Sequence, residues 1–162
     1  MTLGETEPER AARRDLKPFP HSLPAILMRA REAVMARVRP TLRKYDVTEP
    51  QWRVLRTLSS LDEIEVTQLA DMVFLLPSSL SRILRDLGAR GLIQRRTSSS
   101  DLRRGLVSIS DKGMSLIEAA SPLAAEVNAE IERLYGADRM ARLRGLLREL
   151  ETALGPGRPE DD

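Results

Sequence analysis

The fold of this chain is decided by residues 77–96, PSSLSRILRDLGARGLIQRR. Pro77 suits the first position of a helix, where the N–H that proline lacks would have no partner. Apolar side chains then recur at the three- and four-residue spacing of one helix face: Leu80, Ile83, Leu84 and Leu87. Gly91 ends this pattern, and the residues after it favour a β-strand over 92–96. The stretch predicts a helix, a turn and then a strand.

Further helix and strand patterns lie on both sides of this stretch. Thr48 and Gln51 form a capping-box pattern that opens a helix over 49–61, and a short helix follows over 66–73. An alternating segment over 106–109 predicts an antiparallel partner for the strand, with a polar turn between the two. Short helices followed by a β-hairpin are the elements of a winged helix-turn-helix.

Long helices flank this predicted domain. Helical spacing predicts one over 22–45, Ser110 caps another over 111–135, and a third covers 137–154 with leucines at heptad-like spacing. These leucines either fill a core within one chain or form a seam between two chains. We expect the seam, because one small domain cannot cover three long apolar stripes. The predicted fold class is mainly α with a small β-hairpin wing, a winged helix-turn-helix joined to a helical dimerisation domain.

The predicted elements divide the chain into regions. Residues 21–47 and 111–154 form the helical dimerisation region, and residues 48–110 form the winged helix-turn-helix DNA-binding domain. Residues 1–20 and 155–162 mix charges with proline and glycine without periodicity. This composition predicts a flexible N-terminal arm and a disordered tail.

The composition excludes several classes of site. The 162 residues contain no cysteine, which excludes disulfides, thiolate metal sites and a cysteine nucleophile. The single histidine, His21, excludes a multi-histidine metal site, and no nucleophile–base spacing or glycine-rich phosphate loop is present. We therefore expect neither enzyme activity nor a cofactor. No apolar run reaches the roughly 18 residues that a membrane span needs, so we expect a cytoplasmic protein without membrane contact.

The net charge of +2 conceals a strongly basic segment. Between Ser78 and Arg104, seven arginines against two aspartates leave a local charge of +5, so the rest of the chain carries −3. A cationic segment in an otherwise mildly acidic chain indicates a polyanionic partner. Together with a helix-turn-helix, it indicates double-stranded DNA.

The residue types on the outer face of the predicted helix suit a DNA groove. This face carries small hydroxyls and arginines: Ser78, Ser79, Ser81, Arg82 and Arg85. A helix fits the major groove, where the serines allow close approach and Arg82 has the planar fork that suits guanine or phosphate. Arg103, in the hairpin turn, can enter a neighbouring minor groove. Four other arginines either lie near phosphates or are merely solvated: Arg85, Arg95, Arg96 and Arg104.

The sequence resembles the MarR family of bacterial transcriptional regulators. Four segments carry the resemblance, in the family's order and spacing: TEPQWRVLRTL (48–58), VTQLADMV (66–73), PSSLSRILRDLGARGLIQRR (77–96) and DLRRGLVSISDKG (101–113). The resemblance implies a homodimer on a palindromic operator, released by a small anionic aromatic effector. It also implies that Pro77, Ser78, Ser79, Ser81, Arg82 and Arg103 contact DNA, and that Asp101 orients Arg103 through an ion pair.

Two residues depart from the family's pattern. The family usually has glycine where Phe74 stands and serine or threonine where Leu76 stands. Phenylalanine does not enter positive φ as readily as glycine, and Leu76 offers no side-chain cap to the following helix. These departures concern the geometry of the turn and not its role.

A narrower resemblance points to the class of effector. AREAVM (30–35), the pair Arg39–Pro40 and TEPQWRVL resemble the branch of the family that represses homoprotocatechuate and related aromatic catabolism. This resemblance implies a ligand-responsive repressor of an aromatic-compound catabolic operon. The effector would be a small aromatic acid or its CoA thioester.

Arg31 lies within the apolar face of the first predicted helix, about 40° around the helix from Leu27. A cation there needs a partner, which is either a glutamate of another helix or chain, or the carboxylate of the effector. In the second case Met28 and Met35 would line the effector site with flexible apolar side chains, and Trp52 would lie nearby. His21, at the start of the helix, is either a surface residue or a further effector contact.

Two other functions compatible with the same elements stay open. A winged helix can dock an acidic protein instead of DNA, which would make the chain a protein–protein interaction module. A DNA-binding protein that responds to no ligand is the other alternative.

Overall fold

The computed structural model describes residues 21–97 and 105–155, which hold six helices and a three-stranded sheet. In chain order the elements are α1 (Leu23–Lys44), α2 (Glu49–Leu58), β1 (Ile64–Glu65), α3 (Val66–Met72), α4 (Pro77–Ala89), β2 (Ile93–Thr97), β3 (Gly105–Ile109), α5 (Asp111–Tyr135) and α6 (Ala137–Leu154). The predicted fold class, mainly α with a β-hairpin wing, is confirmed. The described residues divide into two compact units, one ending at Arg37 and the other beginning at Val38. The predicted arm, the hairpin turn and the tail beyond Gly155 lie outside the described residues.

The capping box at the start of α2 is present as predicted. The Gln51 N–H donates to Thr48 Oγ1 at 3.4 Å, and the Thr48 N–H donates to Gln51 Oε1 at 2.7 Å. The helix ends at Leu58, earlier than its predicted end. Ser59 and Ser60 follow it, and their hydroxyls each donate to a carbonyl of the last helical turn, both at 2.9 Å.

Three helices end with the same backbone motif. Each is followed by a residue in the left-handed conformation: Asp46 after α1, Phe74 after α3 and Gly91 after α4. The next residue then donates its N–H to a carbonyl five positions earlier, at 2.9–3.2 Å, as in a Schellman motif. These donors are apolar, and each is buried or half-buried in the core: Val47, Leu75 and Leu92. The chain direction after each helix is thereby fixed.

The sheet has the strand order β1–β3–β2 and is antiparallel throughout. The predicted hairpin is confirmed, with β2 and β3 paired from Ile93↔Ile109 to Thr97↔Gly105. The sequence did not predict β1, because two residues cannot show an alternating pattern. This strand pairs Ile64 with Val107 and so attaches the start of α3 to the wing.

The core of the second unit is built from α2, α3, α4 and the sheet, with contributions from the end of α1 and from α5. Its fully buried large side chains are Leu42, Val54, Leu55, Leu58, Leu69, Val73, Leu80, Leu84, Leu87 and Val107. Three of the four apolar residues predicted for α4 are among them, and the fourth, Ile83, is half-buried against the cluster. The core therefore fixes the inner face of α4 and leaves the outer face exposed.

The long helices expose apolar side chains in the single chain. No residue of α6 is buried. The large apolar residues exposed at the end of α5 and along α6 are Leu134, Tyr135, Leu143, Leu146, Leu147 and Leu154. In the first unit, α1 likewise exposes Leu23, Ile26, Leu27, Met28 and Val34. These faces have the character of an interface.

Candidate nucleic-acid interface

The outer face of α4 presents the side chains that the sequence predicted for it. All five are exposed: Ser78, Ser79, Ser81, Arg82 and Arg85. Pro77 occupies the first turn, and Leu76 precedes the helix without a side-chain cap, as its apolar nature predicted. The N–H groups of a helix's first turn have no intrahelical acceptor, so this end of α4 offers hydroxyl and N–H donors together.

Two shallow grooves run between the start of α2 and the outer face of α4. One is lined by Pro50, Leu75, Ser78, Ser79, Arg82 and Ile83. The other is lined by Thr48, Gln51, Arg82, Ile83, Arg85, Asp86 and Ala89. Arg82 and Ile83 border both grooves, and Arg82 is the charged residue of the two.

Asp86, the carboxylate that lines the second groove, is engaged by side chains of the chain itself. Asp86 is the one acidic residue between Ser78 and Thr97. Its Oδ2 accepts a hydrogen bond of 2.7 Å from Gln51 Nε2 and lies 3.7 Å from Arg90 Nη1. Gln51 thus links α2 to α4 through its amide nitrogen while its oxygen completes the capping box. The sequence did not predict this link, because it joins residues of two separate helices.

The first strand of the wing carries one arginine that is already paired. Arg96 forms a two-pronged ion pair with Glu63, in which its Nε donates to Oε1 at 2.6 Å and its Nη2 donates to Oε2. This pairing, which the sequence did not predict, attaches β2 to the segment before β1. Arg95, beside it, is exposed. The predicted wing residues Asp101, Arg103 and Arg104 lie outside the described residues.

The residues predicted to contact an effector belong to both units. His21, Met28 and Arg31 are exposed in the first unit, where Met35 is half-buried. The apolar side chains around Arg31 on α1, including Leu27 and Val34, are exposed as well. Arg31 is therefore not buried within a single chain. In the second unit, Trp52 is half-buried against the core. The effector site stays a prediction.

Within residues 21–97 and 105–155, no group of three or more histidine, aspartate or glutamate side chains could hold a metal ion. None of the helices there combines the length and the apolar character that crossing a bilayer would need.

Comparison with known proteins agrees with the fold and with the order of the sequence motifs. Residues 47–104 match the MarR family. The chain is 34% identical over 140 residues to the homoprotocatechuate degradative operon repressor of Escherichia coli. The aligned residues cover 86% of this chain and 94% of the relative.

Two crystal structures show the same likeness in three dimensions. The transcriptional regulator PA4135 is 34% identical, with a TM-score of 0.78 over 84% of this chain and 98% of that one. NadR in complex with 4-hydroxyphenylacetate is also 34% identical, with a TM-score of 0.69 over 80% of this chain and 92% of that one. From its winged helix-turn-helix, its ordered motifs and its identity with a relative along most of its length, we conclude that the chain belongs to the MarR family of transcriptional regulators.

Proposed function

We propose that this protein is a homodimeric repressor that binds a palindromic operator in double-stranded DNA and is released by a small aromatic acid or its CoA thioester. The regulated genes would encode the breakdown of an aromatic compound. The observation that carries the proposal is the outer face of α4, where exposed serines and arginines stand on a helix whose opposite face is fixed in the core.

The charge of this face suits a polyanion, and its small hydroxyl residues favour DNA over an acidic protein. From Met72 to Arg85 the chain has no carboxylate and two arginines, and Asp86 is engaged by Gln51 and Arg90. The serines at the start of α4 are small enough for the helix to approach base edges closely. The phosphates would attract the arginines over a long range. The serine hydroxyls and Arg82 would then form the contacts with base edges in the groove.

Dimerisation would supply the second reading helix. The apolar residues exposed on α1, α5 and α6 are more than a single soluble chain ordinarily leaves uncovered. Covering them with a second copy of the chain gives a two-fold axis, and a two-fold dimer presents its two α4 helices to the two halves of a palindrome.

The effector class is supported by the relatives and by the chemistry of α1. One relative represses a homoprotocatechuate degradative operon, and NadR was crystallised with 4-hydroxyphenylacetate, so both names refer to aromatic acids. The guanidinium of Arg31 can bind such a carboxylate through two parallel hydrogen bonds. His21, Met28 and Met35 would complete the site, with the methionines packing on the aromatic ring. Release of DNA then requires that the effector bind more tightly to the conformation with low DNA affinity.

The test begins by letting the protein select its own operator from a random-sequence duplex pool. We expect enrichment of a palindrome, and an affinity for it that falls steeply with salt concentration. Failure to enrich any duplex, combined with binding to an acidic protein, would contradict the proposal.

The effector is tested on the same duplex with 4-hydroxyphenylacetate and homoprotocatechuate as probes. Wild type is expected to release the duplex when an effective probe is added. Arg31→Ala is expected to fold and bind the duplex but not release it, and Arg31→Lys is expected to respond only in part, because a point charge lacks the planar fork. If Arg31→Ala responds normally, Arg31 is not the carboxylate receptor. If Arg31→Ala unfolds, Arg31 forms a structural ion pair.

A further inference from the structure

Phe74 is an exposed aromatic residue in a strained backbone conformation, directly before the helix that we propose reads DNA. It has a φ of +51° and is 57% exposed. The left-handed region costs an L-residue roughly 1–2 kcal/mol, which glycine would avoid. An exposed ring recovers little of this cost through core packing. Strain without a packing benefit is a feature that concentrates at functional positions.

The turn between α3 and α4 holds Phe74 outward. Val73 is fully buried and Leu75 is half-buried against the core, so the residues on both sides of Phe74 are anchored. The Phe74 N–H donates to the Asp71 carbonyl at 3.3 Å, and the Leu75 N–H donates to the Ala70 carbonyl at 3.1 Å. These bonds close the turn and fix the backbone from which the ring projects.

Phe74 belongs to a short apolar ridge. Met72 is 52% exposed and Leu76 is 42% exposed, so the residues at 72, 74 and 76 face solvent while those between them face the core. The ridge leads directly into Pro77 and Ser78, at the end of α4 that a helix-turn-helix inserts into the major groove. The ridge therefore directly precedes, along the chain, the first turn of the proposed DNA-reading helix.

The residues that follow the ridge favour DNA as its occupant. Asp71 precedes the ridge, whereas the chain from Met72 to Arg85 has two arginines and no carboxylate, which suits the edge of a polyanion. The apolar group that the major groove of DNA offers is the C5-methyl of thymine, and phenylalanine is one of the side chains that contact it.

We propose that Phe74, with Leu76 beside it, is a specificity-determining residue that selects thymine at a fixed position in each half of the operator by packing against its methyl group. This inference rests on the proposed function, since it requires that α4 enter the major groove. It adds an apolar contact from the preceding turn to the polar contacts expected from α4 itself.

The experiment uses the duplex that the full-length protein selects from a random pool. Each thymine is replaced in turn by deoxyuridine, which removes only the methyl group. For wild type we expect a loss of affinity of about fourfold at one thymine in each half-site, the value for withdrawing one buried CH2-sized group. Phe74→Gly, which suits the φ of this turn, should bind the thymine duplex and the deoxyuridine duplex with equal affinity. Arg82→Ala, the matched control, should bind more weakly overall and still show the fourfold loss.

Three results would overturn the inference while leaving the proposed function intact. In the first, the selected half-site contains no thymine. In the second, replacing thymine by deoxyuridine changes the wild-type affinity at no position. In the third, this replacement lowers the affinity of wild type and of Phe74→Gly equally. A change of oligomeric state in Phe74→Gly, measured by sedimentation, would mean that the ridge covers a second copy of the chain, and would also overturn it. If no duplex is selected at all, this inference and the proposed function fail together.

Discussion

The hydroxyl of Ser110 donates a hydrogen bond of 2.7 Å to the carbonyl of Gly91, which joins the start of α5 to the end of α4. The same oxygen accepts the N–H of Gly113 at 3.0 Å and so caps α5. Lys112 adds a second link, because its Nζ donates to the Arg90 carbonyl at 2.8 Å. These bonds tie the start of α5 to the end of the helix that carries the proposed DNA-reading face.

The first prediction concerns this junction. Ser110→Ala removes both the helix cap and the bond to Gly91, so the free energy of unfolding should fall by about 1–2 kcal/mol. Urea unfolding followed by circular dichroism measures the change. Ser115→Ala, an exposed serine on the same helix, serves as the control and should change stability by no more than about 0.5 kcal/mol. An equal loss of unfolding free energy in the two variants would show that the Ser110 cap does not stabilise the fold.

The second prediction concerns the close approach of α5 to the chain after α4. A Cβ at Gly113 would lie 2.1 Å from the Leu92 carbonyl oxygen and 2.8 Å from Ile109 Cγ1. Gly113→Ala should therefore cost about 3 kcal/mol, at the upper end of the usual range for overpacking, or prevent folding. Gly88→Ala is the matched control, because a Cβ there meets no atom within 4 Å and alanine favours the helix by up to about 1 kcal/mol. A stable Gly113→Ala protein would contradict this packing.

The third prediction concerns the strain at Phe74. Phe74→Gly should raise the free energy of unfolding by about 0.5–1 kcal/mol, because relief of the left-handed strain exceeds the entropy that glycine adds to the unfolded chain. Phe74→Ala removes the ring but keeps a Cβ at positive φ, so it should give no such gain. Thermal and urea unfolding of the two variants measure this difference. A gain of equal size in Phe74→Ala would assign the effect to the ring instead of the backbone.

The fourth prediction concerns the proposed dimer seam. Leu147 is exposed on α6 in the single chain, and Leu147→Glu would place a charge in the seam. We expect this variant to lose the dimer and the fold together, as measured by sedimentation and circular dichroism at micromolar concentration. Glu149→Lys changes a charge about 200° around the helix and should remain a folded dimer. A folded, soluble Leu147→Glu monomer would contradict the seam.

Local signals in the sequence predicted most of the fold. The capping box at Thr48, Pro77 at the start of α4 and the serine cap at Ser110 each act within one turn of helix, and the structure confirms all three. The three- and four-residue spacing likewise predicted which face of α4 is buried. These features depend on neighbours in the chain, which the sequence displays directly.

The features that the sequence did not predict depend on distant pairings. Strand β1 exists because Ile64 meets Val107, and Arg96 is fixed because Glu63 lies within its reach. Phe74 takes the left-handed conformation because its neighbours are buried on both sides, which overrides the preference of its residue type. The spacing of apolar residues along α1 predicted an apolar face around Arg31. It did not predict that this face is exposed in the single chain.

The most direct test of the account compares the affinity of Arg82→Ala for the selected operator with its affinity for a random duplex. Because Arg82 is exposed on α4 and borders both grooves, we predict that the difference in binding free energy between operator and random duplex narrows by about 1–3 kcal/mol relative to wild type. Arg103→Ala, measured alongside, should weaken both affinities and flatten the salt dependence by about one unit for each wing. Equal losses on operator and random DNA for Arg82→Ala would contradict the claim that α4 reads sequence.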